Sequence, residues 1–301
     1  MRQWPSVAVP GRRLIAVAAL AAIGVIGHAP TLPAQAVPEP PKLTPLPKLT
    51  PLPTPEADAE IEQFLLKGDV KRTRGAGKGI TGSLRATMTF GDRTHDAHIQ
   101  VIDESKREFQ STGGTEFNFR DSWEFNVAAY KIDRLLGLRL VPVSVARRFR
   151  DKMGAYTWWV DDFQMDEGER LKKELRSPDT LTWNEEMQLV RLFDQLIANT
   201  DRNLGNLIIT SDWMIWAIDH TRAFRVAPTL KTPGNVVRCD RAMFERLKAL
   251  DKATIKRAVG SHLQNWEVDG LLSRRDAIVK LIESRGAAGL FDRRREKQAR
   301  P

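Results

Sequence analysis

The chain has almost no cysteine. Its 301 residues include only Cys239, so no disulfide can form within the chain. Because no histidine or acid–base pattern lies near it in sequence, Cys239 is interpreted as an inert thiol and not as a nucleophile. The fold must therefore depend on a hydrophobic core. The length and the 42% hydrophobic content are enough for one large domain or two lobes.

A long apolar run is also missing. The run LIAVAALAAIGVIG follows Arg2, Arg12 and Arg13 and covers only residues 14–27, whereas a membrane-spanning helix needs about 20 residues. The small residues Ala34-Gln35-Ala36 are typical of a cleavage site, and no cysteine follows the run to suggest a lipoprotein. Residues 1–36 are therefore predicted to be an export signal, giving a periplasmic or secreted protein with no stable membrane span after cleavage. The alternatives are a membrane anchor and a disordered apolar tail.

The basic excess is modest. The formal net charge is +9, and removal of residues 1–36 takes away three arginines and no acid, which leaves +6. The last cluster of cations, in residues 292–301, is interpreted as a solvated basic tail. The composition therefore gives no indication of a nucleic-acid partner.

The order of segments predicts an α+β fold with two lobes. A proline-rich linker (37–59) contains KLTPLP twice and favours polyproline II. The N-lobe (60–163) has glycine-rich turns between alternating apolar residues, which predict antiparallel strands, and one helix that ends at Gly137. Helical periodicity dominates the C-lobe (164–291), and a cleft is expected where the lobes meet.

One loop concentrates the chemistry. The segment NTDRNLGNLII (199–209) holds Asp201 and Asn206, and the next apolar run, MIWAID, ends at Asp219. Phosphoryl transfer needs a carboxylate at the acceptor hydroxyl and oxygen ligands for Mg²⁺. In this scheme Asp201 is the catalytic base, and a hairpin brings the metal ligands Asn206 and Asp219 together. The alternative is ordinary turn chemistry, in which Asn, Asp and Gly side chains only satisfy local backbone groups.

Two blocks carry a family resemblance over roughly residues 75–225. The blocks FDQLIANTDRNLGNLII…IWAIDHTRAF and FNVAAYKIDRLLGLRLVP resemble the atypical kinase superfamily, which includes phosphatidylinositol kinases, HipA-type kinases and secretory-pathway kinases. The resemblance implies a bilobal protein-kinase-like fold that binds ATP with Mg²⁺ or Mn²⁺. It also implies a catalytic role for Asp201 and metal binding by Asn206 and Asp219. His220 continues a DFG-like segment, and Arg222 is a phosphate or structural contact.

The sequence departs from that family at an expected ion pair. Gln100, in AHIQ, stands where the family has a lysine that binds the nucleotide phosphates, and Asn126 stands where it has the partner glutamate. Replacing both members leaves no charge without its partner in the cleft. An amide pair at Gln100 and Asn126 could keep the link between helix and strand, but it does not supply a positive charge.

Another cation must then face the nucleotide. The candidates are Lys106, Lys78 and Arg120. The segment GAGKGIT, with Gly77, Lys78 and Gly79, lacks the residue order of a P-loop but fits a hairpin that closes over a nucleotide. A plain flexible hairpin is the alternative.

Three functions fit these observations. The first is an exported phosphotransferase that moves the γ-phosphoryl group of ATP to a hydroxyl acceptor, which is a protein, a lipid or a sugar. The second is a pseudokinase that binds nucleotide or a partner without turnover. The third is an unrelated secreted binding module in which the loop is only a turn.

Overall fold

The computed structural model describes residues 55–76, 83–111, 114–199 and 201–294. The predicted export signal, most of the proline-rich linker and the predicted nucleotide contacts Gly77, Lys78 and Gly79 lie outside these ranges. Within the part of the chain that is described, no helix combines the length and the apolar character needed to cross a membrane.

An antiparallel sheet organises the first half. In chain order this half contains α1 (Pro55–Lys67), β1 (Asp69–Gly75), β2 (Leu84–Phe90), β3 (Arg93–Gln100), β4 (Asp103–Ser111), β5 (Gly114–Ser122), α2 (Glu124–Leu136), β6 (Ser144–Phe149) and β7 (Lys152–Trp158). Five of the strands pair in the order β1–β2–β3–β7–β6. Ala86 and Met88 of β2 lie on the buried face with Ala97 and Ile99 of β3, because successive side chains of a strand alternate between faces. The predicted antiparallel strands are confirmed.

Helix α1 begins inside the segment that the sequence analysis assigned to the linker. Proline is accepted at the first position of a helix, and Glu56 and Asp58 in the first turn favour its N-terminus. Phe64 and Leu65 are buried, and the helix packs against β6 and β7. Among the described residues, the folded part therefore starts at Pro55.

Helix α2 is the most completely buried element of the first half. It ends as predicted at Gly137, whose φ of 68° is accessible to glycine at little cost. The fully buried carboxylate of Asp133 accepts the backbone N–H groups of Arg139, Leu140 and Val141, and burial raises its pKa. These bonds fix the turn that leads from α2 towards β6.

The hairpin of β4 and β5 pairs only with itself in the described residues. The sequence analysis did not predict it, since both strands are rich in charged and polar residues. Phe109 and Phe119 stack on this hairpin with their ring centroids 4.1 Å apart. The hairpin thus presents an aromatic platform beside the start of α2.

The second half is mostly helical, as predicted. It contains β8 (Phe163–Asp166), α3 (Glu167–Lys172), α4 (Thr180–Leu196), β9 (Leu207–Thr210), β10 (Ile215–Ala217), β11 (Cys239–Asp240), α5 (Arg241–Ala249), α6 (Lys252–Val259), α7 (Asn265–Glu283) and β12 (Leu290–Phe291). The strands β10, β9 and β8 form a three-stranded sheet. Helix α4 packs against α7 and leads directly into the candidate loop.

The predicted basic tail begins inside the fold. Arg293 is 4% exposed, and its guanidinium donates to both carboxylate oxygens of Glu186, at 2.8 and 2.5 Å. It also donates to the carbonyl of Leu138 at 2.6 Å. The interpretation of Arg293 as solvated is therefore wrong. Its partner lies 107 residues away on α4, where sequence proximity gives no signal.

Candidate active site

The loop between α4 and β9 carries Asp201 and Asn206. After Leu196 the chain turns through Ala198, which has a φ of 48°, and then forms a 3-10 turn over Leu204–Asn206 before β9 begins. The backbone N–H of Asp201 donates to the side chain of Asn199 at 3.3 Å. The Asp201 side chain is 38% exposed and is therefore accessible to a substrate.

The hairpin of β9 and β10 brings Asn206 beside Asp219. Residues 207–209 pair with 215–217, and the backbone N–H of Ile218 donates to the carbonyl of Asn206 at 3.0 Å. Asp219 follows at once with a φ of 55°, a conformation that costs a non-glycine residue about 1–3 kcal/mol. Thr221 Oγ1 donates to Asp219 Oδ1 at 3.2 Å and holds the carboxylate in place.

Arg202 ties this loop to its neighbours. The buried guanidinium donates to Asp194 on α4 at 3.0 Å, to the Asn206 carbonyl at 3.1 Å and to the Ile218 carbonyl at 2.7 Å. Arginine has no acceptor, so the 2.9 Å contact with His220 makes Nε2 of that ring the acceptor. Burial lowers the pKa of His220 well below its usual range, and the ring is neutral.

Arg274 of α7 supports the same region from behind. It is fully buried and donates to the carbonyls of Leu196, Arg225 and Ala227. Burial lowers its pKa to about 10. The end of α4 and the segment after Asp219 therefore share one rigid support.

Two hydrogen bonds attach the segment after β10, which contains His220 and Thr221, to the first half. The backbone N–H of His220 donates to Asn126 Oδ1 at 2.8 Å, and the backbone N–H of Ser122 donates to the Thr221 carbonyl at 2.9 Å. Asn126 thus links α2 to the segment that carries Asp219. Gln100 is buried at the end of β3.

Asp121 is a carboxylate of this site that sequence reasoning missed. It is 9% exposed, and its Oδ1 is buried with no hydrogen-bond partner among the described residues. Burial raises its pKa, and the negative charge of Asp219 raises it further. The pKa of Asp219 is also raised, mainly because the carboxylate is desolvated and further because of the negative charge of Asp201. Because 98 positions separate Asp121 from Asp219, spacing in the sequence could not connect the two residues. The only local indication was the position of Asp121 in FRDSW, at the junction of a strand and a helix.

Arg222 lies between these carboxylates. Its guanidinium is 3.7 Å from Asp201 Oδ2 and 3.9 Å from Asp121 Oδ2. It also lies over the rings of Phe109 and Phe119, at 5.3 and 5.0 Å, within the range of a cation–π contact. The β4–β5 hairpin therefore holds this cation against the acidic cluster.

A cleft of about 950 Å³ opens beside the cluster. Lys106, Glu124, Asp121 and Arg222 are among its lining residues. Asp201, Asn206 and Asp219 do not line it, but Arg222 contacts Asp201, and Asp121 repels Asp219. Two residues of the cleft, Arg222 and Asp121, are therefore also neighbours of the loop carboxylates.

The predicted replacement cations have different surroundings. Lys106 reaches Glu104 at 3.1 Å and lies over the Phe109 and Phe119 rings, so it faces the cleft. Arg120 donates to Glu267 and Glu124, both at 2.7 Å. Arg120 does not line the cleft, whereas Lys106 and Arg222 do, so Arg120 is a poor substitute for the missing lysine.

The donor set suits a hard divalent ion. Carboxylate and amide oxygens are the ligands that Mg²⁺ and Mn²⁺ take, and the buried Asp121 oxygen lacks a hydrogen-bond donor. Over the described ranges, no three His, Cys, Asp or Glu side chains form a complete metal cluster by themselves. An ion here would therefore use Asn206 or ligand oxygens as well as Asp219.

Similar structures exist, although neither protein-family models nor curated sequences match the chain. A hydra Fam20 structure with sugar has a TM-score of 0.58 at 14% identity, covering 84% of this chain and 97% of the other. A Golgi casein kinase structure has a TM-score of 0.54 at 13% identity, covering 80% and 78%. The same kinase with Mn/ADP bound has a TM-score of 0.55 at 13% identity, covering 80% of each. The chain therefore has an atypical protein-kinase-like fold, similar to the folds of these structures.

Proposed function

We propose that the chain is an exported kinase-like phosphotransferase, which moves the γ-phosphoryl group of ATP to a hydroxyl acceptor. One observation carries the proposal. On a kinase-like fold, Arg202 and the β9–β10 hairpin hold Asn206 beside Asp219, and Arg222, which lines a large cleft, lies 3.7 Å from Asp201.

Each residue has a role set by its surroundings. Asp219 and Asn206 hold the metal, which neutralises phosphate charge when it is bound. The exposed Asp201 carboxylate orients the acceptor hydroxyl and accepts its proton. Arg222 and Lys106 face the phosphates and supply the positive charge that Gln100 lacks. One similar structure carries manganese and ADP, which supports a nucleotide and a divalent ion as ligands.

The rival proposal is a pseudokinase that binds nucleotide without turnover. Two observations favour it: Gln100 and Asn126 are neutral, and Asn126 bonds to the His220 backbone. The Arg222 ion pair with Asp201 also has to loosen before that carboxylate can accept a proton.

Two variants of the full chain separate the proposals. Asp219→Asn should abolish the Mg²⁺-dependent thermal stabilisation by ATP, because it removes a metal ligand. Asp201→Asn should keep that stabilisation and abolish phosphate release or transfer. Asp269→Asn, an exposed carboxylate on α7, is the matched control and should behave as wild type.

Three results decide the question. Binding without transfer to any candidate acceptor supports the pseudokinase. Transfer at the wild-type rate by Asp201→Asn would refute the assigned base. Absence of any response to Mg²⁺ and ATP would remove the nucleotide from both proposals.

Export, with cleavage before residue 37, is the second part of the proposal. The apolar run and Ala34-Gln35-Ala36 support cleavage after Ala36. N-terminal sequencing of the natural protein should begin at or near Val37. An intact Met1 would overturn export by cleavage.

A further inference from the structure

A second cavity shares no lining residue with the cleft described above. It has a volume of about 580 Å³ and is lined by β1, by β6 and by the turn after β6. We call it the basic groove. The residues that define its charge are Asp69, Lys71, Arg72, Arg147, Arg148 and Arg150.

Positive charge dominates the basic groove. Five cations face one acid, and that acid, Asp69, pairs with Lys71 at 3.0 Å. Arg72 and Arg148 are exposed. Arg148 donates only to a backbone carbonyl, that of Asp151, so this contact leaves its charge uncompensated. Like charges brought together on a folded surface repel one another and favour an anionic ligand.

The groove also offers the backbone of two strands. β1 and β6 are the end strands of the five-stranded sheet, and neither outer edge pairs with a further strand within the described ranges. Arg147 Nη1 donates to the carbonyls of Leu65 and Gly68, at 2.9 and 2.7 Å, and so links β6 to the segment that enters β1. Strand edges present N–H and C=O groups at the spacing of an extended peptide.

We propose that the basic groove binds an extended acidic segment of a partner protein, by strand addition at one of these edges and by carboxylate contacts to its cations. This site is independent of the phosphotransfer proposal.

The surroundings favour a peptide over other polyanions. The two rings of the groove, Tyr156 and Phe149, are each already covered by a guanidinium, at 5.1 Å from Arg147 and from Arg150. They are therefore not available as stacking platforms, which single-stranded nucleic acids use. A concave groove also matches an extended chain better than the surface of a bilayer.

The test uses a fluorescein-labelled peptide of five Glu-Val repeats, the full chain and no nucleotide. Fluorescence anisotropy should show binding that weakens as salt rises, because exposed charges are screened. The double variant Arg72→Glu/Arg148→Glu should bind at least about tenfold more weakly, since two attractive contacts become repulsive. The matched control, Lys248→Glu/Arg257→Glu on α5 and α6, makes the same change in net charge and should bind as wild type.

Two further measurements protect the interpretation. Arg72→Gln/Arg148→Gln removes the charge without adding repulsion and serves if the reversed variant does not fold. A peptide methylated on alternate backbone nitrogens should bind more weakly than its parent, because it cannot complete strand pairing.

Several outcomes would overturn the proposal. The first is that the wild-type chain does not bind the peptide. In that case the role of the edge cations would be to prevent aggregation through strand pairing. Others are equal weakening by the control variant, an unchanged affinity of the methylated peptide, or tighter binding of an oligothymidylate or of phosphatidylserine vesicles. None of these results bears on ATP binding, so the phosphotransfer proposal stands or fails separately.

Discussion

Replacement of Arg202 by methionine is the sharpest test of how the site is assembled. This guanidinium joins Asp194 on α4 to the carbonyls of Asn206 and Ile218 and to the ring of His220. Methionine keeps much of the apolar stem but donates nothing. The Arg202→Met variant therefore leaves the nearly buried Asp194 carboxylate without its counter-ion and removes one donor from each of two carbonyls.

The expected loss follows from the burial of the pair. The side chains of Arg202 and Asp194 are 5% and 11% exposed, so solvent screens their charges poorly. Removal of one partner from such a pair costs about 3–5 kcal/mol. A domain of ordinary stability has about 5–15 kcal/mol to lose, so the variant should remain folded but be clearly weakened. Arg202→Lys keeps the positive charge but loses the planar guanidinium with its several donors. Its free energy of unfolding should therefore lie between those of the wild type and Arg202→Met.

Urea denaturation and nucleotide binding distinguish stability from positioning. The double variant Asp194→Leu/Arg202→Met removes both charges and should recover most of the lost stability. It should not recover Mg²⁺-dependent ATP binding, because the carbonyls of Asn206 and Ile218 still lack the guanidinium that binds both of them. Arg257→Met, an exposed change on α6, is the control. A loss below about 1 kcal/mol in the single variant, or wild-type ATP binding in the double variant, would refute the reasoning.

Three further predictions concern side chains whose pKa is shifted or whose ion pair is buried. Asp219→Asn should raise the melting temperature of the protein in EDTA at neutral pH, because desolvation and the charge of Asp201 raise the pKa of the wild-type carboxyl. The gain should vanish in acid, where the wild-type carboxyl is also neutral. A lower melting temperature of the variant at neutral pH would contradict the prediction. Burial lowers the pKa of His98 to about 4, so the unfolded state binds the proton first as the pH falls. The wild type should therefore lose up to about 3 kcal/mol of unfolding free energy between pH 6.5 and 4. Urea denaturation of His98→Gln should show a smaller loss over this pH range, and an equal loss in both proteins would exclude the effect. Glu186→Gln should cost about 3–5 kcal/mol in the same assay by leaving Arg293 unpaired, whereas a solvated Arg293 would give no change.

Local patterns predicted the elements that depend on nearby residues. The helical spacing before Gly137 located α2, because a left-handed glycine ends a helix through contacts within one turn. The apolar runs on either side of Ser211-Asp212 located the β9–β10 hairpin for the same reason. Asn206 and Asp219 could therefore be placed together from the sequence alone.

Long-range electrostatics could not be predicted in this way. Asp121 joins the site through the bond from Ser122 to Thr221, and Arg293 finds Glu186 across 107 residues. Neither pairing leaves a periodic or spaced pattern in the chain. The β4–β5 hairpin was missed for another reason: its charged residues hide the alternation that normally indicates a strand.

Three unfavourable features occur together at Asp219 and Asp121, which bears on the choice between enzyme and pseudokinase. Asp219 has a strained backbone, its pKa is raised by Asp201, and Asp121 keeps a buried oxygen without a hydrogen bond. None of these features stabilises the fold, and Asn at these positions would relieve the repulsion. By contrast, Arg202 close by is fully engaged with carboxylate, carbonyl and imidazole acceptors. Strain and perturbed pKa values supported by such a framework are typical of sites that act on a ligand. A divalent cation between these carboxylates would cancel the repulsion, so the arrangement favours metal binding over a purely structural role.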